Sequence, residues 1–441
     1  MKQTYIFLLF ILFPVIVGAQ QTDEWTLERC ISHALKQNID LKIQQNLEQK
    51  AAYSLRQSQW NLSPSLGGWG NSNFDFRRST NQYNDIASGT SYNMNYGISS
   101  SLKLFAGFTS LNTISANRYN ELVSGESTRL AANNLKIEII DLFSQVLYQK
   151  ALVEVGKEKL DVSIKESDRI AATIEAGQLE PVAQTEINAT VSGNRLELSR
   201  SENQYRLLRL KLAQLIEIPL NSNFEFTSSE FDMIIPTEKY IDVDSVYFAA
   251  CQSYPAIQQK EYELEYYRKL LNISKGNLAP SLSLNVGYSS GFYSTDTLIN
   301  GRKTPIGTQF NDYLNPSLGL SLQIPILSGR LRGFQVKKSR IDVENAVYNL
   351  ENQKKQIRRE IEDAILRLEA LNLEYKNATD NLAFAEKSFE TYREKYQLGL
   401  INTTDFMNAQ NQLSQARSYS LLAHYSWIVL VKTVEIYMGT Q

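Results

Sequence analysis

Cysteine and histidine are nearly absent, with two of each in 441 residues. Cys30 and Cys251 stand at non-equivalent places in an internal repeat, which favours two separate buried thiols over a disulfide without excluding the bond. His33 and His424 lie in different copies of that repeat. No His/Cys/Asp set has metal-ligand spacing and no glycine-rich phosphate loop precedes a helix, so no cofactor, metal or catalytic role is expected. Charge of one sign is lacking too: the formal net charge of −2 argues against nucleic acid as a partner. Long apolar runs are missing beyond the N-terminus. A transmembrane helix needs about 18 such residues, so any further membrane contact must be made by strands.

The N-terminus reads as that of an exported chain. Lys2 is followed by an apolar run over 5–17, then Val17-Gly18-Ala19 and polar sequence, which predicts a signal peptide over 1–19. No cysteine stands at the cleavage point to carry a lipid. The mature chain is a duplication. Pro64-Ser65-Leu66 recurs as Pro280-Ser281-Leu282, 216 positions on, while Gly107 and Gly177 recur as Gly329 and Gly399, 222 positions on. The expected organisation is a first repeat over 20–218, an inter-repeat segment over 219–240 and a second repeat over 241–441. The six surplus residues of the second repeat fall between Pro280 and Gly329, in a loop.

Aromatics are plentiful, with 24 Tyr and 18 Phe. Many lie in stretches of period two. Over 281–292, Leu282, Leu284, Val286, Tyr288 and Phe292 alternate with serine, asparagine and glycine. Over 317–326, Leu318, Leu320, Leu322, Ile324 and Ile326 do the same. In the first repeat Tyr92, Met94, Tyr96, Ile98, Leu102 and Leu104 alternate with small or polar residues, and 66–76 is a weaker match interrupted by Gly68, Gly70 and Ser72. About 9 to 11 residues suffice for a tilted strand to cross a bilayer, and apolar-out, polar-in alternation suits a water-filled barrel. Tyr96, Ile98, Leu282, Leu284, Val286, Leu318, Leu320 and Leu322 are expected to face lipid. The polar stretches 77–91 and 294–315 are expected to be outer loops. A soluble sandwich is the competing reading, but the rest of the chain offers only helical rods to cover such a sheet. Four strands cannot close a wall in hydrocarbon, so copies of the chain must complete it. Two copies would give eight strands and three twelve; strand number alone does not choose.

The remaining sequence has heptads. Ile361, Leu368, Tyr375, Leu382, Phe389 and Tyr396 fall seven apart, with Ala364, Leu371, Ala378, Ala385 and Tyr392 on the adjoining seam. Ile139, Val146, Val153, Leu160 and Ile174 answer in the first repeat, broken once at Ser167. Gly177 and Gly399 should end these helices, Pro181 should begin the next, and a return helix carries Phe406, Leu413, Trp427 and Val434. One long helix of ~100 Å flanked by two half-length helices, 27–59 and 181–217, is the economical packing. Asn402 is a candidate N-cap with Asp405 at the third helical position. Arg330, Arg332, Lys337, Lys338 and Arg340 form a basic cluster near a helix start, with surface solvation favoured over a lipid anchor. Glu360, Glu362 and Asp363 read as a solvated helical face.

The order of signal, strand pair, long helix, glycine tip and return helix, with all but the signal occurring twice, resembles the TolC-like outer-membrane factor family over nearly the whole mature chain. Its local motifs are diffuse: Leu27-Glu28 with Ala34 and Asn38, Leu104-Phe105-Ala106-Gly107, Ile326-Leu327-Ser328-Gly329 and the two tips. The resemblance implies an α+β membrane protein, a homotrimer whose outer-membrane β-barrel, with four strands per chain, is continuous with a periplasmic helical coiled-coil barrel. It implies a duct of a tripartite efflux system, docked to a periplasmic adaptor protein and an inner-membrane transporter, that passes small amphiphiles outward. A type I protein-secretion duct uses the same fold, and a periplasmic coiled-coil adaptor or scaffold is a weaker alternative. By the same resemblance, Ala176, Gly177, Leu179, Leu398, Gly399, Leu400 and Ile401 are the adaptor-docking tips. Asp405 would be a periplasmic gate residue, with Asn408 replacing a second acid and Ala183 at the first-repeat position.

Overall fold

The computed structural model describes residues 23–80, 86–219, 224–227, 242–295, 303–327 and 330–439. The expected signal peptide, 1–19, and most of the expected inter-repeat segment, 219–240, lie outside them. The first repeat runs β1 (Asp23–Trp25), α1 (Leu27–Gln37), α2 (Ile39–Trp60), β2 (Ser65–Thr80), β3 (Ile86–Ala106), α3 (Thr109–Glu175) and α4 (Val182–Leu215). After β4 (Phe224–Phe226) the second runs α5 (Val243–Ser253), α6 (Pro255–Gly276), β5 (Ser281–Tyr293), α7 (Ile306–Asp312), β6 (Asn315–Gln323), α8 (Leu331–Gln397) and α9 (Thr403–Met438). Both long helices have 67 residues and start 222 positions apart, as the repeat requires.

The helix expected over 27–59 is broken. α1 stops at Asn38, whose backbone is extended (ψ 128°) and whose side-chain amide donates to the carbonyl of Leu215 at the end of α4 (3.2 Å). The break recurs 216 positions on at Tyr254 (ψ 124°), where Pro255 bars helical geometry for the residue before it. The α1 start is capped by Thr26, which accepts from the Arg29 N–H (3.3 Å).

The chain divides into two compact units. One comprises 1–38, 134–240 and 366–433. Here β1 pairs in parallel with β4, Trp25 opposite Phe226, and Phe226 meets Phe143, midway along α3, edge to face at 5.8 Å. The predicted seam is buried at Ile139, Val146, Val153, Leu368, Ala378 and Tyr396, and the return helix at Phe406, Leu413, Ala409, Ala416, Ala423 and Trp427. Its interruption at Ser167 has a use: the hydroxyl donates to Asn188 Oδ1 (3.1 Å) and accepts from Gln184 Nε2 (2.9 Å), both on α4. Cys30 is fully buried, and burial pushes its thiol up to about 12.

The other unit comprises 39–133, 241–365 and 434–441. Val246, Ala250 and Ile257 pack there against Ile357, Ile361 and Ile365. Cys251 is half-buried rather than buried. Glu360 is not merely solvated, since it accepts from the Tyr437 hydroxyl (3.1 Å). Glu362 pairs with Arg358 (2.9 Å).

This unit also holds the main sheet, ordered β2-β3-β5-β6 and antiparallel throughout, with β2 and β6 at its edges. Much of the expected outer loop at 77–91 is strand, because β2 and β3 stay paired out to Thr80 and Ile86. Residues 77–91 are mostly polar or small and carry no period-two signal, so hydropathy alternation stops before the ladder does. The second connection differs: β6 begins opposite Ser289, and the intervening chain forms α7. Gln309 of α7 is buried and takes the place of a ladder partner, accepting from the Tyr293 N–H (2.8 Å) and donating to the Thr304 carbonyl (2.9 Å). The end of β5 is thus capped where β6 does not reach. β6 stops at Gln323, because Pro325 cannot donate to a ladder, leaving Ile324 and Ile326 outside the strand.

Candidate functional site: the sheet face and the helix tips

Register puts the apolar residues of all four strands on one face. Leu102, Leu284 and Leu320 form one cross-strand row, Val286 and Leu318 stand opposite each other, as do Leu282 and Leu322, and Ile98 lies beside Tyr288. Gly68, Gly70 and Ser72, which blur the β2 pattern, lie opposite Ile98, Tyr96 and Met94, so small residues on β2 receive large ones on β3. A bulge between Lys103 and Phe105 shifts the register there, and Phe105, not Leu104, stands opposite Leu282. The other face carries Asn71, Asn73, Asn93, Asn95, Ser99, Ser101, Ser283, Asn285, Ser317, Ser321 and Gln323, with Trp69 and Tyr293 among its large side chains. Ile98, Val286, Leu318, Leu320 and Leu322 are exposed, and Leu282 and Leu284 are half-buried. Tyr96 is partly covered, because Phe310 of α7 meets its ring edge to face at 5.4 Å.

The tips form as their glycines demand. Gly177 (φ 72°) and Gly399 (φ 70°) are left-handed. The Gln178 N–H reaches back to the Thr173 carbonyl (3.0 Å) and the Leu400 N–H to that of Lys395 (2.9 Å). Pro181 caps α4 from just outside it rather than filling its first position. Ala176, Gly177, Leu179, Leu398, Gly399 and Leu400 are all exposed. Ile401 is not free in the same way, since it packs on the buried cluster of Ile170, Ile187, Tyr396, Phe406 and Met407. Asn402 Oδ1 accepts from the Asp405 N–H (2.8 Å), which establishes the cap; the Asp405 and Asn408 side chains are exposed. Ala183 lies against the apolar cluster.

One polar group beside the tips is not evident from the heptads. Glu166 on α3 is 5 % exposed as a side chain and accepts from Arg169, one turn on, at 3.1 Å. The Tyr396 hydroxyl donates to Glu166, accepts from Arg169 and lies 2.8 Å from Thr403 Oγ1. The Arg169 guanidinium also stacks over the Tyr396 ring, whose other neighbour, Phe406, is nearly parallel to it at 4.6 Å. Burial, then the bond to Glu166, raises the Tyr396 phenol above the ordinary tyrosine value. Sequence could have flagged only a polar-ended seam residue, Tyr396, where leucine would fit.

His33 meets Trp25 edge to face at 5.2 Å, and His424 lies 5.7 Å from the Tyr375 ring.

Comparison with known proteins agrees with this geometry. Residues 246–440 match the family model described as outer membrane efflux protein. The chain is 23% identical over 336 residues to the outer membrane efflux protein BepC of Brucella suis biovar 1, covering 76% of this chain and 69% of that one. Among solved structures it is similar to the Campylobacter jejuni CmeC outer membrane channel (TM-score 0.80, 16% identity, 94% of this chain and 85% of that one). It is likewise similar to the Vibrio cholerae outer membrane protein VceC (TM-score 0.76, 15% identity, 94% and 96%). These relatives are outer-membrane proteins and channels, not enzymes. The chain therefore has the TolC-like fold of these outer-membrane channels, and its residues 246–440 match the outer membrane efflux protein domain.

Proposed function

We propose that the chain is the exit duct of a tripartite efflux system, a homotrimer through which small amphiphiles leave passively. The observation that carries this is the unfinished wall: a four-stranded sheet with one apolar face, one polar face and two edges that no strand of the described residues pairs. Lipid on the apolar face leaves no water to satisfy those edges, so neighbouring copies must pair with them. Three copies supply about twelve strands, enough for an aqueous lumen lined by the Asn/Ser face. An apolar stripe left exposed on α8, including Leu366, Leu373 and Phe384, gives the helices a surface to bury in the same assembly. The exposed Leu398-Gly399-Leu400 and Gly177-Gln178-Leu179 tips supply apolar side chains beside flat glycines, a surface suited to the helical hairpin of an adaptor driven by an inner-membrane transporter.

The test is the mature protein extracted in detergent. We expect a heat-sensitive trimer with stable conductance in planar bilayers, and restored export of a dye when it is expressed with its adaptor and pump in a strain lacking its own duct. A water-soluble monomer without pore activity refutes the reading. Asp405 gives a finer check. Its cap role concerns its backbone N–H, which Asp405→Asn keeps, so that variant should assemble normally, losing at most about 1 kcal/mol of dipole stabilisation per chain. If the carboxylates line the passage, the reversal potential under a salt gradient shifts away from cation preference; an unchanged value removes Asp405 from the gate.

A further inference from the structure

The chain just after β6 is unlike its counterpart in the first repeat. Residues 330–341 contain Arg330, Arg332, Lys337, Lys338 and Arg340 and no acid, whereas the equivalent residues 108–119 contain only Arg118 as a cation. These cations open α8, whose first turn holds no acidic residue. Positive charge at a helix start is unfavourable, so the fold gives no reason for it. Within the protein the cations go largely unanswered. Arg332 donates to the Asn277 carbonyl (2.6 Å) and Lys337 lies over the Phe334 ring (5.7 Å), but among the described residues no ion pair joins Arg330, Lys337, Lys338 or Arg340. All four are exposed.

The apolar surroundings point the same way. The exposed Leu318, Leu320 and Leu322 of β6 lead through Ile324 to Ile326 and Leu327, which are about nine-tenths exposed (91% and 89%), and on to Leu331 and Phe334, also exposed. A row of apolar side chains ending in an aromatic residue and a patch of cations follows the order of a bilayer leaflet, acyl chain first and phosphate second.

We infer that Arg330, Lys337, Lys338 and Arg340, with Phe334 and Leu331, form a binding surface for anionic phospholipid headgroups where β6 leaves the membrane. This rests on the reading that the apolar sheet face meets lipid. The cations engage phosphate, Phe334 sits at headgroup depth, and Leu327 and Leu331 contact the acyl chains. The surplus charge of the second repeat thereby has its counter-ions in the leaflet.

The experiment uses the full mature oligomer in nanodiscs of phosphatidylcholine or of phosphatidylcholine with phosphatidylglycerol. Retained phosphatidylglycerol should be enriched around the wild type and fall by roughly tenfold or more in the variant Arg330→Gln/Lys337→Gln/Lys338→Gln/Arg340→Gln, and in the wild type at high salt. Arg332 is left in place to keep its bond to Asn277. Acetylation of Lys337 and Lys338 in the wild type supplies a readout independent of the variant's folding: both should react in neutral detergent and be protected by phosphatidylglycerol. Protection already in lipid-free oligomer means another copy covers the patch and overturns the inference. Equal retention by wild type and variant also overturns it, as does insertion into phosphatidylcholine with no preference for the anionic lipid. Failure to insert into either bilayer instead defeats the lipid-facing sheet itself, and the surface falls with it.

Discussion

Gly107→Ala should deplete the assembled oligomer, whereas Gly177→Ala should leave it nearly intact, although both glycines are left-handed. At 107 (φ 60°) an added Cβ would lie 2.2 Å from the Gly276 carbonyl oxygen and 2.7 Å from Ala279 Cβ. The oxygen belongs to the backbone, so no rotamer change relieves the overlap. Backbone strain of about 1 kcal/mol and overpacking of about 1–3 kcal/mol add to roughly 2–4 kcal/mol per chain. At 177 (φ 72°) a Cβ would meet nothing within 4 Å, so only the strain of about 1 kcal/mol remains. The contact is mutual: at 276 a Cβ would lie 2.4 Å from the Gly107 carbonyl oxygen, so Gly276→Ala should resemble Gly107→Ala. Apparent melting temperature and oligomer yield in detergent check the ranking. Equal losses at 107 and 177 would show that the turn yields and that the close approach of the two backbones is not required.

That contrast also marks what sequence can carry. Both tip glycines were legible, because a glycine between heptads and a following Pro or Asn has few other uses. The crowding at Gly107 was not, since its partner Gly276 is 169 positions away and no local pattern links them. The same division holds elsewhere. The apolar face was legible from period two, and register then confirmed the row of Leu102, Leu284 and Leu320. The bulge before Phe105 was hidden, as was the length of β2 and β3, because residues 77–91 are mostly polar or small and carry no alternation. The helix break at Asn38 was unreadable alone, yet its repeat partner Tyr254 precedes Pro255, so the duplication could have exposed it. The Glu166 group was hidden for another reason: a heptad predicts which side chains meet, not which polar atoms are answered.

Arg169→Met should destabilise the helix ends beside the tips more than removal of any exposed charge. It leaves the Glu166 carboxylate buried with only the hydroxyls of Tyr396 and Thr403 to answer it. Breaking a fully buried pair costs about 3–5 kcal/mol; Arg169 is itself half-exposed, so roughly 2–3 kcal/mol is expected. Glu166→Gln removes the stranded charge, so the double variant should recover most of that loss, a coupling that two unrelated substitutions would not show. The effect should be local, with faster amide exchange in the last turns of α3 and α8 and at the start of α9, and little change in the sheet. The tyrosine sets an alkaline limit. Because the folded phenol titrates above its unfolded value, its contribution is complete below about pH 10 and is lost as pH rises through the raised value. Tyr396→Phe should therefore flatten the alkaline limb of the stability profile while lowering stability at neutral pH, where the bond to Glu166 is gone. An unchanged alkaline limb, or a double variant no better than Arg169→Met, would show that the carboxylate is answered by water and that the aromatic stack of Tyr396 on Phe406 holds this end of the helices.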